Sequence, residues 1–301
     1  ADTEGEGARS YGLYIYGLAV GEGASVTAKS GSAETTYGIS NYGDNITVTG
    51  GTVTAAAGDT TGTDSSYSYG IDVTNGDIRV SGTGTVDAAG GKAADSIGIE
   101  LSQGSFYDYH LNKITEYYDN GKLAVSGSAK VTAKSGDPAS TYPGSVGLIC
   151  TGLSLSDSAS LDASGVNYGI RAAGFSGKDE NGDDTLSPSA ISVSGSASLS
   201  AAAKSAASLG FGLQGCAAVD VSGGAAKFAG KTAAVYLYGE GSNLTAGSGL
   251  TAITTPAGGT LRSALITAGN TAVSYKSYTA DAALTISGKS YTPTNACTAV
   301  T

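Results

Sequence analysis

One short phrase recurs along the chain: a bulky aromatic or branched residue, then a glycine, then a branched aliphatic residue. Its copies are Tyr11-Gly12-Leu13, Tyr37-Gly38-Ile39, Tyr69-Gly70-Ile71, Ile97-Gly98-Ile99, Val146-Gly147-Leu148, Tyr168-Gly169-Ile170 and Phe211-Gly212-Leu213. Successive glycines are 22 to 49 residues apart, and self-similarity over tens of residues is typical of a solenoid, in which each repeat packs on its neighbours. The chain is therefore restricted to a repetitive architecture.

A second phrase follows, made of an alternating apolar pair, a corner of small polar residues, and another alternating pair. In one unit Ile46 and Val48 precede the corner, and Val53 and Ala55 follow it. Apolar and polar residues alternate, which is the period of a strand with one buried face, and no helical period competes with it. Each unit thus contains about three short strands. We predict an all-β protein, a right-handed parallel β-helix of about 8–10 coils.

The composition agrees with this prediction. Glycine supplies 47 of 301 residues, charged residues 14% and hydrophobic residues 40%, so the chain can bury a core but is unlike an ordinary helical enzyme. We expect a frayed end at 1–9, the β-helix at 10–250, and final coils with a C-terminal cap at 251–301, because open parallel edges aggregate. Methionine is absent, so we expect a mature fragment or an excised domain.

Charge and cysteine content narrow the range of partners. The net charge is -10, without a long block of either sign, which disfavours nucleic acid as a partner. No run approaches the ~18 apolar residues of a membrane span. Cys150, Cys216 and Cys297 lack the close spacing of a zinc or redox motif, so we interpret them as small buried hydrophobic residues. We expect a monomer without metal or cofactor.

The repeat length varies at one place in the unit. From the motif glycine to the first apolar residue of the last strand, five units span 14 to 16 residues, whereas those that begin at Gly98 and Gly169 span 33 and 30. The extra residues lie at about 102–120 and 174–189, between the first and second strands. We therefore predict two loop insertions on one edge of the solenoid.

These insertions define the best candidate site. Two coils separate them, and stacked strands lie ~4.8 Å apart, so we expect the two loops to wall a groove. The compact unit between them supplies the floor, near Ile149, Thr151 and Gly152. A concave surface on an otherwise smooth rod is where a ligand is expected.

The first insertion is rich in aromatic residues and contains the only histidine of the chain. Its candidate ligand-binding residues are Phe106, Tyr107, Tyr109, His110, Tyr117 and Tyr118. Exposed tyrosines offer a flat apolar face and a hydroxyl, which suit carbohydrate or protein recognition. Alternatively, the rings fold down on the solenoid wall. A metal site at the lone histidine is not expected, because it has no partner at ligand spacing.

The second insertion contains the acidic sequence Lys178-Asp179-Glu180-Asn181-Gly182-Asp183-Asp184. Asp179 and Asp183 are candidate ligand-binding residues, and carboxylate oxygens of this kind could hold calcium. The spacing does not match an EF-hand, and an Asn-Gly pair between acids is also typical of a solvent-exposed turn. We favour the turn and assign no metal site.

Two neighbouring units each carry an acid in the first of their three strands. If Ile71 and Val73 face inward, simple alternation places Tyr69 and its counterparts inward as a core stack, and Asp72 outward beside Glu100. A separation of about 5 Å suits the carboxyl pair of a retaining glycosidase. We favour the alternative, in which the two acids are simply exposed to solvent. A tyrosine platform for sugars would require the opposite facing of the strand.

The architecture resembles the pectin-lyase-like right-handed β-helix, and phrases such as Val125-Ser126-Gly127-Ser128-Ala129 resemble those of bacterial cell-surface, adhesin-like repeat proteins. The resemblance covers about residues 10–250. That superfamily contains lyases, glycosidases, adhesins and inert stalks, and none of its catalytic signatures transfers to this chain. The resemblance implies a non-catalytic, extracellular protein of a bacterial surface that binds a glycan or a host protein through the inserted loops, or serves as a rigid spacer. The alternative is a polysaccharide lyase or glycosidase.

Overall fold

A computed structural model describes residues 7–62, 65–108, 111–137, 144–204, 210–221, 223–230, 233–238, 242–246, 250–254, 259–268, 271–280, 283–286 and 299–300. The regular structure in these ranges is β-strand throughout. The strands in chain order are β1 (Arg9–Ile15), β2 (Leu18–Val20), β3 (Ser25–Lys29), β4 (Thr35–Tyr42), β5 (Ile46–Thr49), β6 (Thr52–Ala56), β7 (Tyr67–Thr74), β8 (Ile78–Ser81), β9 (Thr85–Ala89), β10 (Asp95–Ser102), β11 (Ser105–Asp108), β12 (Lys113–Tyr117), β13 (Lys122–Val125), β14 (Lys130–Lys134), β15 (Val146–Cys150), β16 (Gly152–Leu155), β17 (Ser160–Gly165), β18 (Tyr168–Ala172), β19 (Phe175–Lys178), β20 (Asp184–Ser187), β21 (Ser189–Val193), β22 (Ser198–Ala203), β23 (Phe211–Gly215), β24 (Ala217–Val221), β25 (Ala225–Gly230), β26 (Ala233–Leu237), β27 (Asn243–Ala246), β28 (Leu250–Thr254), β29 (Gly259–Ala268), β30 (Thr271–Ala280), β31 (Ala283–Ile286) and β32 (Ala299–Val300).

Three large sheets run the length of the molecule. Sheet A contains β1, β4, β7, β10, β15, β18, β23 and β26; sheet B contains β2, β5, β8, β13, β16, β21, β24, β27, β29, β30 and β32; sheet C contains β3, β6, β9, β14, β17, β22, β25, β28 and β31. We call each succession of A, B and C strands a coil. Neighbouring coils pair in parallel, and equivalent residues are in register, as in Val53 with Val86. The predicted all-β solenoid of stacked parallel strands is confirmed.

The core fills the space between the three sheets. In one coil it is formed by residues that are at most 1% exposed, namely Ile71, Val73, Ile78, Val80, Val86 and Ala88. Successive coils repeat the same inward positions, so the apolar face that no single coil could cover is buried by its neighbours. Cys150 and Cys216 are buried free thiols, as the sequence predicted, and Cys297 lies outside the described residues.

The corner between sheets B and C has a nearly constant length because each coil forms hydrogen bonds to the preceding one. The Ser128 hydroxyl donates to Gly82 O at 3.2 Å, and the Ser158 hydroxyl donates to Gly127 O at 3.0 Å. Gly127 lies in the left-handed region at φ 71°, and Asp157 holds the equivalent position at φ 59°. An aspartate tolerates this conformation better than most residues, and here its carboxylate accepts the Gly127 N–H at 2.9 Å.

The motif glycine marks a break in the alternation of each sheet A strand. A methyl group on Gly70 would lie 2.5 Å from Gly98 O and 2.6 Å from Ala89 N, so only glycine allows this close approach to sheet C. Before the break, a buried hydroxyl faces inward: Ser68 Oγ accepts the Gly91 N–H at 2.7 Å, and its hydroxyl donates to Gly58 O at 3.1 Å. The inward row is therefore polar before the glycine and apolar after it.

Beyond β28 the pairing pattern changes. β27 still pairs in parallel with β29, but β28 with β31, β29 with β30, and β30 with β32 pair antiparallel. Strands β29, β30 and β31 lie within 251–301, where the sequence analysis placed the final coils and cap. Among the described residues, no helical segment has the length and apolar character that crossing a membrane requires.

Candidate functional site

Two antiparallel hairpins occupy the predicted insertions. The first, β11 with β12, connects β10 of sheet A to β13 of sheet B, and the second, β19 with β20, connects β18 to β21. Both leave a sheet A strand and return to a sheet B strand, so they project from the same edge of the solenoid. We call them together the hairpin pair.

The two hairpins contact each other. The Gln103 amide Nε2 donates to Ser176 O at 2.9 Å, and the Ser176 N–H donates to Gln103 Oε1 at 2.8 Å. Farther out, the Tyr117 hydroxyl donates to Asp184 Oδ1 at 3.1 Å, and Lys178 Nζ lies 5.8 Å from the centroid of the Tyr117 ring. These contacts join the two insertions, which the sequence predicted to wall a groove.

A cavity of ≈ 520 Å³ lies on the outer face of sheet B, beside the bases of the hairpin pair. Strands β8, β13, β16 and β21 form its floor, whose outward residues near the centre are small: Ala124, Gly152, Ser154, Ala190 and Ser192. The hairpin bases contribute Asp119, Phe175, Ser187 and Pro188 as walls. Small floor residues leave the space open, and the hairpins supply its depth.

Charged residues of the cavity are paired. At one end Arg79 Nη2 lies 3.1 Å from Asp77 Oδ2. Lys122 contacts the Asp119 carboxylate, and its Nζ lies 5.7 Å from the centroid of the Phe175 ring. The charges within each ion pair cancel, so the cavity combines a floor of small residues, one aromatic ring and neutralised ion pairs.

The predicted floor is only partly correct. Thr151 and Gly152 line the cavity, and the Thr151 hydroxyl donates to Asn120 O at 2.7 Å, which ties the floor to the base of the first hairpin. Ile149 lies instead on the outer face of sheet A, in register with Glu100 and Arg171. It does not line the cavity, because it precedes the turn from sheet A into sheet B.

The described aromatic residues of the first hairpin have different surroundings. Phe106 is 52% exposed. Tyr107 is exposed, and its hydroxyl donates to Asn112 Oδ1 at 2.6 Å. Tyr118 is partly buried against the backbone near Gly104, and Tyr117 is held by the second hairpin. Tyr109 and His110 lie outside the described residues.

The acidic tip of the second hairpin is a turn that bonds to itself. The Asp179 carboxylate accepts the N–H groups of Asn181 at 2.8 Å and Asp183 at 2.9 Å. The N–H donated by Asp183 is the first cause of the lowered pKa of Asp179. Asp183 is exposed. The carboxylate of Asp179 is used within the turn, which favours the turn interpretation over calcium.

The outer face of sheet A carries a stack of tyrosine rings. The ring centroids of Tyr11 and Tyr37 are 4.9 Å apart, and those of Tyr37 and Tyr69 are 5.1 Å apart. Tyr11 also contacts Tyr14, which is 50% exposed, at 5.4 Å. The two residues therefore share the outer face. The prediction of an inward stack was wrong for Tyr11, Tyr37 and Tyr69, because the glycine that follows each tyrosine interrupts the strand alternation. Phe211, at the equivalent position of a later coil, is 8% exposed and belongs to the core.

The predicted acid pair lies beside this stack. Asp72 is in register with Glu100 on the next coil and with Ser40 on the preceding one. Burial first, and then the Glu100 charge, raise the pKa of Asp72 to about 7. Burial also raises the pKa of Glu100, against the opposing effects of a Ser102 hydrogen bond and the Arg171 charge. Both acids are partly buried, unlike the fully solvated step that the sequence suggested.

This arrangement limits the chemistry available. Two half-buried carboxyls can share a proton or hold a cation. The next residue in the row is Ile149 rather than a base, and Arg171 lies one coil farther. Among the described residues, no group of three or more histidine, cysteine, aspartate or glutamate side chains could hold a metal ion.

Sequence reasoning missed the residues that shape the cavity, above all Phe175, Lys122 and Arg79. Their outward row could have been found from strand alternation, since Arg79 lies between the buried Ile78 and Val80. The role of Phe175 had no local signal, because it depends on how the second hairpin folds back toward sheet B. Comparisons with protein-family models, curated proteins and solved structures found no match.

Proposed function

We propose that this chain is a non-catalytic, extracellular β-helix of a bacterial cell surface and that it binds a glycan in the cavity on sheet B. The observation that carries the proposal is the cavity itself. Its volume of ≈ 520 Å³ lies in the ordinary range of ligand sites, about 300–1,000 Å³. It is also open along the solenoid rather than enclosed within one coil, since four coils contribute to it.

The shape and chemistry of the cavity favour a short stretch of an extended sugar chain. Four neighbouring strands at ~4.8 Å spacing give a floor roughly 14 Å long. Its hydroxyls come from Thr151, Ser154 and Ser192, and its flat apolar surface from Phe175. An aromatic face with a few convergent polar groups is a usual way to recognise a sugar ring.

The architecture supports presentation of this site at a surface. We infer a right-handed winding, because crossover connections between parallel strands of one sheet are nearly always right-handed. We infer about 8–10 coils, which would make a rigid rod. The exposed aromatic residues of the first hairpin, Phe106 and Tyr107, favour a host protein as a second candidate ligand, since exposed rings are common in protein interfaces.

The test is a glycan-array screen of the chain, followed by titration calorimetry with the best oligosaccharide. Phe175→Ala should weaken binding by about 1–2 kcal/mol. Phe106→Ala is the matched control, because it removes the same ring from the neighbouring hairpin outside the cavity, and it should leave the affinity unchanged. Loss of binding in Phe106→Ala alone would move the ligand to the first hairpin. If no glycan bound at all, the rigid-spacer function would take the place of recognition.

The enzymatic alternative is tested with the same oligosaccharides. A lyase or glycosidase would convert them into shorter products, with a rate that falls when the acid pair is altered. We expect recovery of the intact oligosaccharide by mass spectrometry after prolonged incubation. Products that disappear in Asp72→Asn would instead establish an enzyme.

A further inference from the structure

We propose that the outer face of sheet A at β4, β7 and β10 is a second binding site, which takes the primary ammonium group of an amino-sugar glycan. The site goes beyond the cavity on sheet B and does not depend on it. Its centre is formed by three side chains that follow one another along the row: Ser40, Asp72 and Glu100.

The three side chains have unused hydrogen-bonding capacity. Of the residues that the structure describes, none donates to the Asp72 carboxylate or forms an ion pair with it, and Glu100 Oε1 accepts only a long bond of 3.4 Å from Ser102. Ser40 is only 7% exposed, yet its hydroxyl has no partner in the described part of the chain. The Ser40 Oγ atom is not among the fully buried side-chain atoms that lack a partner in the described residues, so this hydroxyl reaches the surface and can bond to a ligand.

A primary ammonium group fits this arrangement. It has three donors and one positive charge. Asp72, Glu100 and Ser40 offer three acceptors and up to two negative charges, on strands spaced ~4.8 Å apart. The nearest cation in the row is Arg171, and Ile149 separates it from Glu100. A bound ammonium group would supply both the positive charge and the hydrogen-bond donors that these three side chains lack.

The tyrosine stack favours a sugar over a lysine side chain as the source of that ammonium. Tyr37 and Tyr69 lie along the acid row. Burial, and then the charges of Asp72 and Glu100 among other groups, raise the pKa of both tyrosines. Their stacked rings, 5.1 Å apart, form a wall on the coils of Ser40 and Asp72, and Ile97 takes the equivalent position on the Glu100 coil. An amino sugar has hydroxyls and an apolar C–H face to place against this wall, whereas the stem of a lysine has only methylene groups.

The test compares three probes of equal length at pH 7: an unacetylated glucosamine tetramer, its N-acetylated counterpart and tetralysine. We expect the unacetylated tetramer to bind at least tenfold more tightly than the acetylated tetramer and tetralysine, and to be recovered intact. Equal affinity for the two sugars would overturn the proposal. Preferred binding of tetralysine would overturn it in favour of a basic protein segment.

Variants locate the site. Asp72→Asn with Glu100→Gln should lower the affinity for the unacetylated tetramer at least tenfold, and Ser40→Ala should lower it about threefold. Asp87→Asn, which removes an exposed acid from sheet C of the same coil, should change nothing. If the double variant does not fold, Ser40→Ala and Glu100→Gln alone provide the same comparison. An equal loss in Asp87→Asn would show general charge attraction and overturn the site.

Discussion

The outer faces of sheets A and B form their surfaces in different ways. On sheet A the repeat itself shapes the surface. A glycine breaks the alternation of each strand, so Tyr69 and Asp72, three residues apart, share one face. On sheet B the strands alternate regularly and their outward residues near Gly152 are small. The depth of the cavity there comes from the hairpin pair, which the coil pattern does not require.

This difference shows two ways in which a solenoid acquires a candidate site. A feature built into the repeat, such as the tyrosine stack, recurs on successive coils and depends on the coil-to-coil spacing. A feature built from insertions occurs once and depends on contacts between segments distant in sequence. Gln103 and Ser176, which join the hairpins, are 73 residues apart. The two kinds of site should therefore respond to different mutations.

The largest effect is expected on sheet A from Gly70→Ala. The new methyl group would meet the backbone of neighbouring strands at 2.5 and 2.6 Å, and backbone atoms cannot move aside without breaking the ladder. We expect a loss of about 2–3 kcal/mol in the free energy of unfolding, with a changed near-ultraviolet circular dichroism signal from the tyrosines. The control is Gly21→Ala, where nothing lies within 4 Å. Equal stability of the two variants would contradict the close approach.

A smaller effect should distinguish the acid row by its pH dependence. The folded state raises the pKa of Asp72 to about 7, first through burial and then through Glu100. A carboxyl whose pKa is raised on folding contributes stability that is present below its unfolded pKa, near 4, and is lost as the pH rises through about 7. The Asp72→Asn variant should thus gain stability over the wild type at pH 8, and this gain should be smaller at pH 4.

We expect that difference to be about 2 kcal/mol, since the carboxyl retains some contact with water. Denaturant unfolding at both pH values measures it, with Asp87→Asn as an exposed control on the same coil. Tyr37, Tyr69 and Glu100 face the group from their strands, and Arg171 lies farther along the row. A pH profile identical to that of the wild type would show that Asp72 is solvated.

The smallest effect is expected from Gln103→Ala on the sheet B side. The change removes bonds to both the N–H and the carbonyl of Ser176 and one to Tyr118 O. We expect about 1 kcal/mol of local destabilisation, seen as faster hydrogen exchange in β19 with little change in melting temperature. The tyrosine circular dichroism signal of sheet A should remain as in the wild type. A large drop in melting temperature would show that the hairpin pair is part of the core.

Much of this molecule could be predicted because its signals are local. The alternation in Ile46–Val48 and Val53–Ala55 predicts two strands that both exist, and the corner between them repeats because each coil bonds to the previous one. The excess residues after Gly98 and Gly169 locate both hairpins. Alternation failed at Tyr69, where the expected inward ring lies on the outer face, since a break at glycine shifts the pattern by one residue.

The sequence by itself determined the repeat, the three strands of each coil, the apolar interior and the edge that carries the insertions, because strand period and spacing are encoded within a few residues. Only the tertiary structure decided that the hairpins join through Gln103, that Phe175 closes one side of a cavity, and that Asp72 and Glu100 are partly buried beside stacked tyrosines. Those features depend on which coils become neighbours and on how two distant loops pack, and no local pattern specifies such contacts.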